Sequence, residues 1–226
     1  MTLTTTLFAV LPYIALTIFI VGHIWRWKYD QWGWTTRTSQ LLEKRWLMWG
    51  SPIFHIGMLM VVCGHVLGLL IPAAATEAIG LSDHAYHIVA VIAGVTAGLV
   101  LIIGLTILLA RRFITKSRMR IVTMKADVVM YILFGLTVLA GLTATIMNNV
   151  FTGPYDYRST ISIWFRSLFV LQPNVEVMAG VSWLYQVHIV CGMTLVALWP
   201  FTRLVHLWSI PLGYITRPII VYHSAS

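Results

Sequence analysis

Charge is what this sequence lacks most. Only 10% of its 226 residues are Asp, Glu, Lys or Arg, against about 25% in soluble domains, and 59% are hydrophobic. That scarcity excludes a soluble globular domain and leaves a polytopic membrane protein. Cysteine is scarce too. Cys63 and Cys191 each sit inside an apolar run, so no pair is placed to clamp a zinc, and the absence of C-x-x-C-H excludes covalent c-type haem attachment. Both thiols read as buried structural groups. The formal charge of +8 does not point to nucleic acid, because basic residues in a membrane protein mark cytoplasmic loops. The first apolar run has no basic stretch before it and is too long for a signal peptide, so it reads as a retained span. With no internal repeat, low-complexity tract or soluble-domain boundary, residues 1–226 read as a single integral-membrane domain.

Apolar runs of about 20 residues cross a hydrocarbon core of about 30 Å. Five are present, at about 5–27, 48–71, 87–110, 127–147 and 182–208. The expected fold is therefore an all-α membrane protein with five transmembrane helices. Ser159–Leu171 (STISIWFRSLFVL) suits an interfacial amphipathic segment and a plain loop equally well. Thirteen of the Lys and Arg residues follow spans 1, 3 and 5, and only Arg158 and Arg166 lie on the other side. The positive-inside rule then puts the N-terminus outside and the C-terminus in the cytoplasm.

What the spans do contain is histidine. Of eight, His223 lies in the tail, His84 and His87 lie in or beside an outer loop, and His23 lies near the inner end of span 1. The other four fall two by two. His55 and His65 are in span 2 (FHIGMLMVVCGHVLGLL), and His188 and His206 are in span 5 (YQVHIVCGMTLVALWPFTRLVHLW). An ionisable group inside a bilayer is costly and by default functional. Two spans with two histidines each are what two bis-histidine haems require. Spans 2 and 5 run antiparallel, so His55 pairs with His206 toward the cytoplasm and His65 with His188 toward the outside.

The spacing is uneven. Ten residues rise about 15 Å and eighteen about 27 Å, a mismatch that tilt and a kink at Pro200 reduce. Eighteen residues are five full turns, which puts His188 and His206 on one face. Ten residues end about 80° short of whole turns, so His55 and His65 point to neighbouring sides. Gly57, Gly64 and Gly68 form a stripe suited to helix packing, the simpler reading, or to the approach of a flat macrocycle. Arg111, Arg112 and Arg203 are candidates for haem propionates, although topology alone accounts for arginines there. Interhelical hydrogen bonds or a proton path remain alternatives for the four histidines. Metals other than haem iron suit less well, since the spans bring almost no carboxylate or thiolate.

The pattern Phe54-His55-Ile56-Gly57, Gly64-His65, Gly68 and Pro72 resembles the gamma subunit of respiratory nitrate reductase. So does the stretch His188, Gly192–Leu195, Pro200, Phe201, Arg203, Leu204, His206, Trp208, Ser209, Pro211, Tyr214, Thr216 and Arg217. Ser39-Gln40 and Arg111-Arg112 fit as well, and the likeness is weakest in residues 148–180. The resemblance implies a multi-pass dihaem cytochrome b subunit of a quinol:nitrate oxidoreductase in a bacterial or archaeal cell membrane. It would hold two haem b, with His55 and His206 as axial ligands of the inner haem and His65 and His188 of the outer. It would oxidise menaquinol or ubiquinol from the quinone pool near the outer face. Electrons would pass to an iron–sulfur beta subunit and on to a molybdenum-containing alpha subunit, with no nucleic-acid partner. Some relatives carry a lysine after the position of Pro72 associated with quinol binding, whereas this sequence has no Lys or Arg between Pro72 and Tyr86. Glu77, His84 and His87 are the candidates left in that region. A cytochrome b subunit of a sulfite-reduction or heterodisulfide-reductase-like complex, and a haem-free histidine-containing transporter, are the rival expectations.

Overall fold

A computed structural model describes residues 2–30, 43–115 and 123–209. Ser39-Gln40, Pro211, Tyr214, Thr216, Arg217 and His223 lie outside the described residues. The described chain is helical almost throughout, and five of its helices are long and apolar enough to cross a membrane. These are α1 (Leu3–Tyr29), α2 (Arg45–Leu70), α4 (Asp83–Ile114), α5 (Lys125–Phe151) and α7 (Trp183–Phe201). Two short helices, α3 (Ala73–Ala78) and α6 (Ile161–Phe169), complete the set. A helix satisfies its own N–H and C=O groups, so an apolar run in lipid has little other choice of conformation. Polar residues mark where the runs stop. The Ser82 hydroxyl accepts the Ala85 N–H at the start of α4, and the Asp127 carboxylate accepts the Met124 N–H at the start of α5.

Helices α2 and α4 pack most closely, and small residues make this possible. A Cβ on Gly57 would come within 2.6 Å of the Leu101 backbone nitrogen, and one on Gly50 within 2.7 Å of the Ile107 side chain. Gly104 lies against the Phe54 backbone in the same way. The other close pairs are α5 with α7, α1 with α7 and α4 with α5; α2 and α7 do not form one. A mid-bundle core of Leu101, Leu105, Met130, Phe134 and Leu195 joins α4, α5 and α7.

One end of the bundle carries Arg26, Arg111, Arg112 and Arg203 and is called the arginine end. The other is closed by residues 152–182, called the cap. There α6 buries Ile161, Ser162 and Trp164. The Trp164 indole donates to the Phe8 carbonyl at 2.7 Å and the Ser162 hydroxyl to the Gly68 carbonyl at 2.7 Å. Of the two readings of Ser159–Leu171, the amphipathic helix is the one that forms.

Two expectations need correction. Span 5 is not one straight helix to residue 208. It ends at Phe201, Thr202 is extended (φ −121°, ψ −179°), and His206 sits on a separate 3₁₀ segment, Arg203–Ser209. Pro200 has no N–H to continue the ladder. Its carbonyl is taken by Arg26 at 2.9 Å, and the Thr202 hydroxyl donates to the Trp199 carbonyl at 3.0 Å. The five-turn, one-face relation of His188 and His206 therefore does not hold. Nor are the cysteines both buried: Cys63 is exposed on the isolated chain and Cys191 is half-buried. Cys63 sits on α2, a helix whose outward residues Leu59, Val62, Val66 and Leu67 are also exposed apolar groups.

Candidate functional site

The four span histidines meet in the pairs that antiparallel helices require. The rings of His55 and His206 have centroids 6.1 Å apart and planes at 79°. Those of His65 and His188 are 5.8 Å apart with planes at 31°. A metal–imidazole bond is about 2 Å long, so two imidazoles on opposite sides of one metal atom place their centroids about 6 Å apart. Both pairs fit that spacing. Direct contact of α2 and α7 is not needed to form them, since the side chains reach across.

In each ring the nitrogen near the backbone is already engaged. Nδ1 of His55 bonds the Ser51 carbonyl at 2.7 Å, His65 that of Val61 at 2.8 Å, His188 that of Thr137 at 2.8 Å and His206 that of Arg203 at 2.6 Å. A carbonyl only accepts, so each Nδ1 carries the proton and each Nε2 the lone pair. That tautomer is the one a metal-ligating histidine adopts. His55 and His65 use the carbonyl four residues back on their own helix, whereas His188 reaches across to α5. Its ring lies on Gly141, where a Cβ would come within 2.7 Å. His23 joins neither pair; its Nδ1 bonds the Phe19 carbonyl at 2.7 Å.

The glycine stripe divides. Gly57 serves packing against α4, and Gly68 lies under the Tyr157 phenol, with a Cβ there 2.9 Å from Oη. At Gly64, beside His65, nothing approaches within 4 Å. Gly57 and Gly64 face nearly the same way, being seven residues apart, so α2 and α4 touch toward the arginine end and part toward the cap. Among the described residues no group of three or more His, Cys, Asp or Glu side chains forms a metal cluster, which leaves paired histidines as the ligand chemistry available.

The three arginine candidates are held in ion pairs, Arg111 and Arg112 buried and Arg203 half-buried. Arg111 meets the Glu43 carboxylate at 2.9 Å, and Arg203 and Arg112 share Asp127 at 2.7 and 3.6 Å. Two guanidinium groups from different helical segments thus converge on one carboxylate. Burial alone would raise the pKa of Glu43, but the Trp46 backbone N–H and the Arg111 guanidinium hold it below the ordinary value. Asp127 and Glu43 escaped notice in the sequence. The available signal was that an acid at a span boundary, in a chain with seven acids, needs a cation nearby.

At the cap end, Glu77 and His84 are exposed and His87 is half-buried. The buried cation beside them comes from elsewhere in the chain. Arg158 is 8% exposed. It donates to the Thr76 hydroxyl at 3.0 Å and the Ile71 carbonyl at 3.4 Å, pairs with Asp83 at 3.7 Å and lies 3.9 Å over the Tyr86 ring.

The architecture is that of a five-helix membrane bundle holding two facing histidine pairs. A family profile described as "Nitrate reductase gamma subunit" matches residues 4–225. The nitrate reductase gamma chain of Bacillus subtilis is 44% identical over 220 residues, covering 97% of this chain and 98% of the relative. The respiratory nitrate reductase 1 gamma chain of Escherichia coli is 32% identical over 93% of this chain and 92% of its own length. The nitrate reductase-like protein NarX of Mycobacterium tuberculosis is 48% identical over 216 residues, which are 95% of this chain but 33% of that relative. The chain thus spans about a third of the length of this last relative. It belongs to the nitrate reductase gamma subunit family.

Proposed function

We propose that this chain is the dihaem cytochrome b membrane subunit of a respiratory nitrate reductase. The observation that carries the reading is the pair of cross-helix imidazole couples, each with Nδ1 protonated and its rings about 6 Å apart. His55 and His206 would hold one haem b and His65 and His188 the other. Bound haem supplies one-electron transfer, taking electrons from quinol and handing them on.

The chain's own residues set the conditions for that transfer. The carbonyls of Ser51, Val61, Thr137 and Arg203 orient the imidazoles and raise their basicity. Gly141 and Gly64 leave room for ring and macrocycle. The guanidinium groups of Arg112 and Arg203, at the end of the bundle that carries His206, suit a carboxylate such as a propionate of the haem at His55 and His206. The arginine end faces the cytoplasm, where an iron–sulfur beta subunit and a molybdenum-containing alpha subunit reduce nitrate. The cap faces outward, where quinol is oxidised, with Glu77, His84 and His87 near the entry. The whole stretch 1–226 acts as one integral-membrane domain in a bacterial or archaeal cell membrane.

The test is the pyridine haemochrome spectrum of the purified chain, with protein quantified in the same sample. Two b haems per chain are expected, and one in His65→Ala. Retention of both haems in His65→Ala overturns the ligand assignment. Absence of haem from folded wild type returns the histidines to a proton path.

A further inference from the structure

Two prolines leave carbonyls without their helical donors at the cap end. The residue four on from Phe8 is Pro12, and the residue four on from Gly68 is Pro72. Proline has no N–H, so in each case the usual helical bond to that carbonyl cannot form. Both carbonyls lie in π-helical turns, Thr6–Val10 of α1 and Val66–Leu70 of α2. Both are taken by α6: the Trp164 indole donates to Phe8 and the fully buried Ser162 hydroxyl to Gly68, each at 2.7 Å. Residues two apart on a helix point to different sides, which is how one short helix reaches two spans. Arg166, four residues from Ser162 and on its side of α6, donates to the Leu69 carbonyl at 3.1 Å. Arg158 reaches the Ile71 carbonyl at 3.4 Å. The last carbonyls of a helix have no partner within it, and at the end of α2 the cap supplies the donors.

The turn held in this way starts at a histidine of the pairs. The α-helical part of α2 runs Arg45–His65, and the π-turn begins at Val66. A π-turn bonds carbonyls to the N–H five residues on, and such turns are frequent at functional sites. Helix α4 does not fix α2 here, since a Cβ on Gly64 would meet nothing within 4 Å. The π-turn packs chiefly against α6, and Gly68 is buried beneath Tyr157. The two rings of the His65 and His188 pair are thus anchored differently. His188 is fixed from α5, by the Thr137 carbonyl and the backbone at Gly141. His65 bonds the Val61 carbonyl of its own helix, so its ring goes where the end of α2 goes.

We propose that Ser162 and Arg166 are positioning residues for the His65 and His188 pair. By holding the Gly68 and Leu69 carbonyls they fix the π-turn that follows His65. With it they fix the angle at which the His65 ring faces His188, 31° between planes. They act through the backbone of α2. Trp164, on another side of α6, ties the same helix to α1 and gives the clamp a fixed base. The readout rests on the haem reading proposed above. An axial imidazole that turns changes its overlap with the iron, so ligand orientation tunes the spectrum and potential of a bound haem.

The experiment compares wild type, Ser162→Ala, Ser162→Thr, Arg166→Gln and Ser167→Ala, each haem-loaded in detergent. Electron paramagnetic resonance of the oxidised chain reads the ligand-plane geometry, and the outer signal is the one lost in His65→Ala. Ser162→Ala and Arg166→Gln are expected to shift the outer signal and its midpoint potential and to leave the inner ones in place. Ser162→Thr keeps the hydroxyl and should lie nearer wild type than Ser162→Ala does. Ser167→Ala is the control, because its hydroxyl bonds the Trp164 carbonyl and the Asn174 N–H inside the cap. Hydrogen exchange of residues 66–71, which needs no haem, should quicken about fivefold in Ser162→Ala, the worth of one hydrogen bond, and stay unchanged in Ser167→Ala. Should Arg166→Gln fail to fold, Ser162→Ala decides. An unmoved outer signal in folded Ser162→Ala overturns the proposal and leaves α6 as a tie for the cap. So does an equal shift of both signals, or the same shift in Ser167→Ala. A wild type without haem sinks the haem reading instead, and the exchange rates alone then judge the clamp.

Discussion

At position 141 the absence of a methyl group lets an imidazole lie on a helix backbone. The His188 ring rests where a Gly141 Cβ would be, 2.7 Å from both Nδ1 and Cε1, and its Nδ1 bonds the Thr137 carbonyl one turn away on the same helix. Gly141→Ala should therefore push the ring off that carbonyl and, if the chain holds the two haems proposed above, lower haem content from two per chain toward one, with the loss confined to the His65 and His188 pair. Gly135→Ala is the matched control, because a Cβ there meets nothing within 4 Å. Equal haem loss in both variants would contradict the placement of His188.

A second residue-scale effect is acid sensitivity at Glu43. Its folded pKa lies below the ordinary value of 4.5, so ionised Glu43 stabilises the fold fully above the unfolded value. That contribution is lost as pH falls through the folded one. Thermal melting of wild type and Glu43→Gln in detergent should differ at neutral pH, wild type being the more stable, and the two curves should converge below about pH 4.5. A gap that persists at the acid end would assign the difference to packing.

Among elements, the helices were legible because length and hydropathy fix them once the solvent is lipid. The histidine pairing was legible because antiparallel crossing leaves one way to match two ligands on each of two helices. The break after Phe201 was readable only in part. Pro200 announced a disturbance, but its form depends on Arg26 from α1 taking the freed carbonyl, a contact between residues 174 apart in the chain. The cap was the least legible element. Its helix is short, and Arg158 and Tyr157 acquire meaning only against Gly68, Thr76 and Tyr86 from other segments. Asp127 and Glu43 were missed for the same reason, since their partners come from distant spans.

The cap's anchor is Trp164, 1% exposed, edge-on to the Phe8 ring at 5.8 Å and bonded to the Phe8 carbonyl. Truncating a buried tryptophan costs about 3–5 kcal/mol. If the cap opens as a unit, Trp164→Ala should expose residues 152–182 to protease far faster than wild type, with haem at His55 and His206 retained. Cleavage at the wild-type rate would mean that the rest of the apolar cluster of Ile161, Met178 and Val181 holds the cap without it.

For the whole molecule, charge and geometry bear on the same choice of sides. Arg26, Arg111, Arg112 and Arg203 gather at one end and are joined there by the Arg26 contact to Pro200 and by the ion pairs through Glu43 and Asp127. Arg158 and Arg166 are held at the other, Arg166 by the Leu69 carbonyl at 3.1 Å. The positive-inside rule turns that division into the orientation proposed above, and under the proposed function that orientation would set the side on which quinol protons are released. Single cysteines read it directly in a chain from which Cys63 and Cys191 have been replaced by serine, a step made necessary by the exposure of Cys63. Gln172→Cys, in the cap beyond α6, should react with a membrane-impermeant maleimide in intact cells. Lys28→Cys, at the arginine end of α1, should react only after the membrane is opened. The reverse pattern would place the cap and its arginine in the cytoplasm. Quinol oxidised there would release its protons on the same side as nitrate reduction, and the separation of charge across the membrane would be lost.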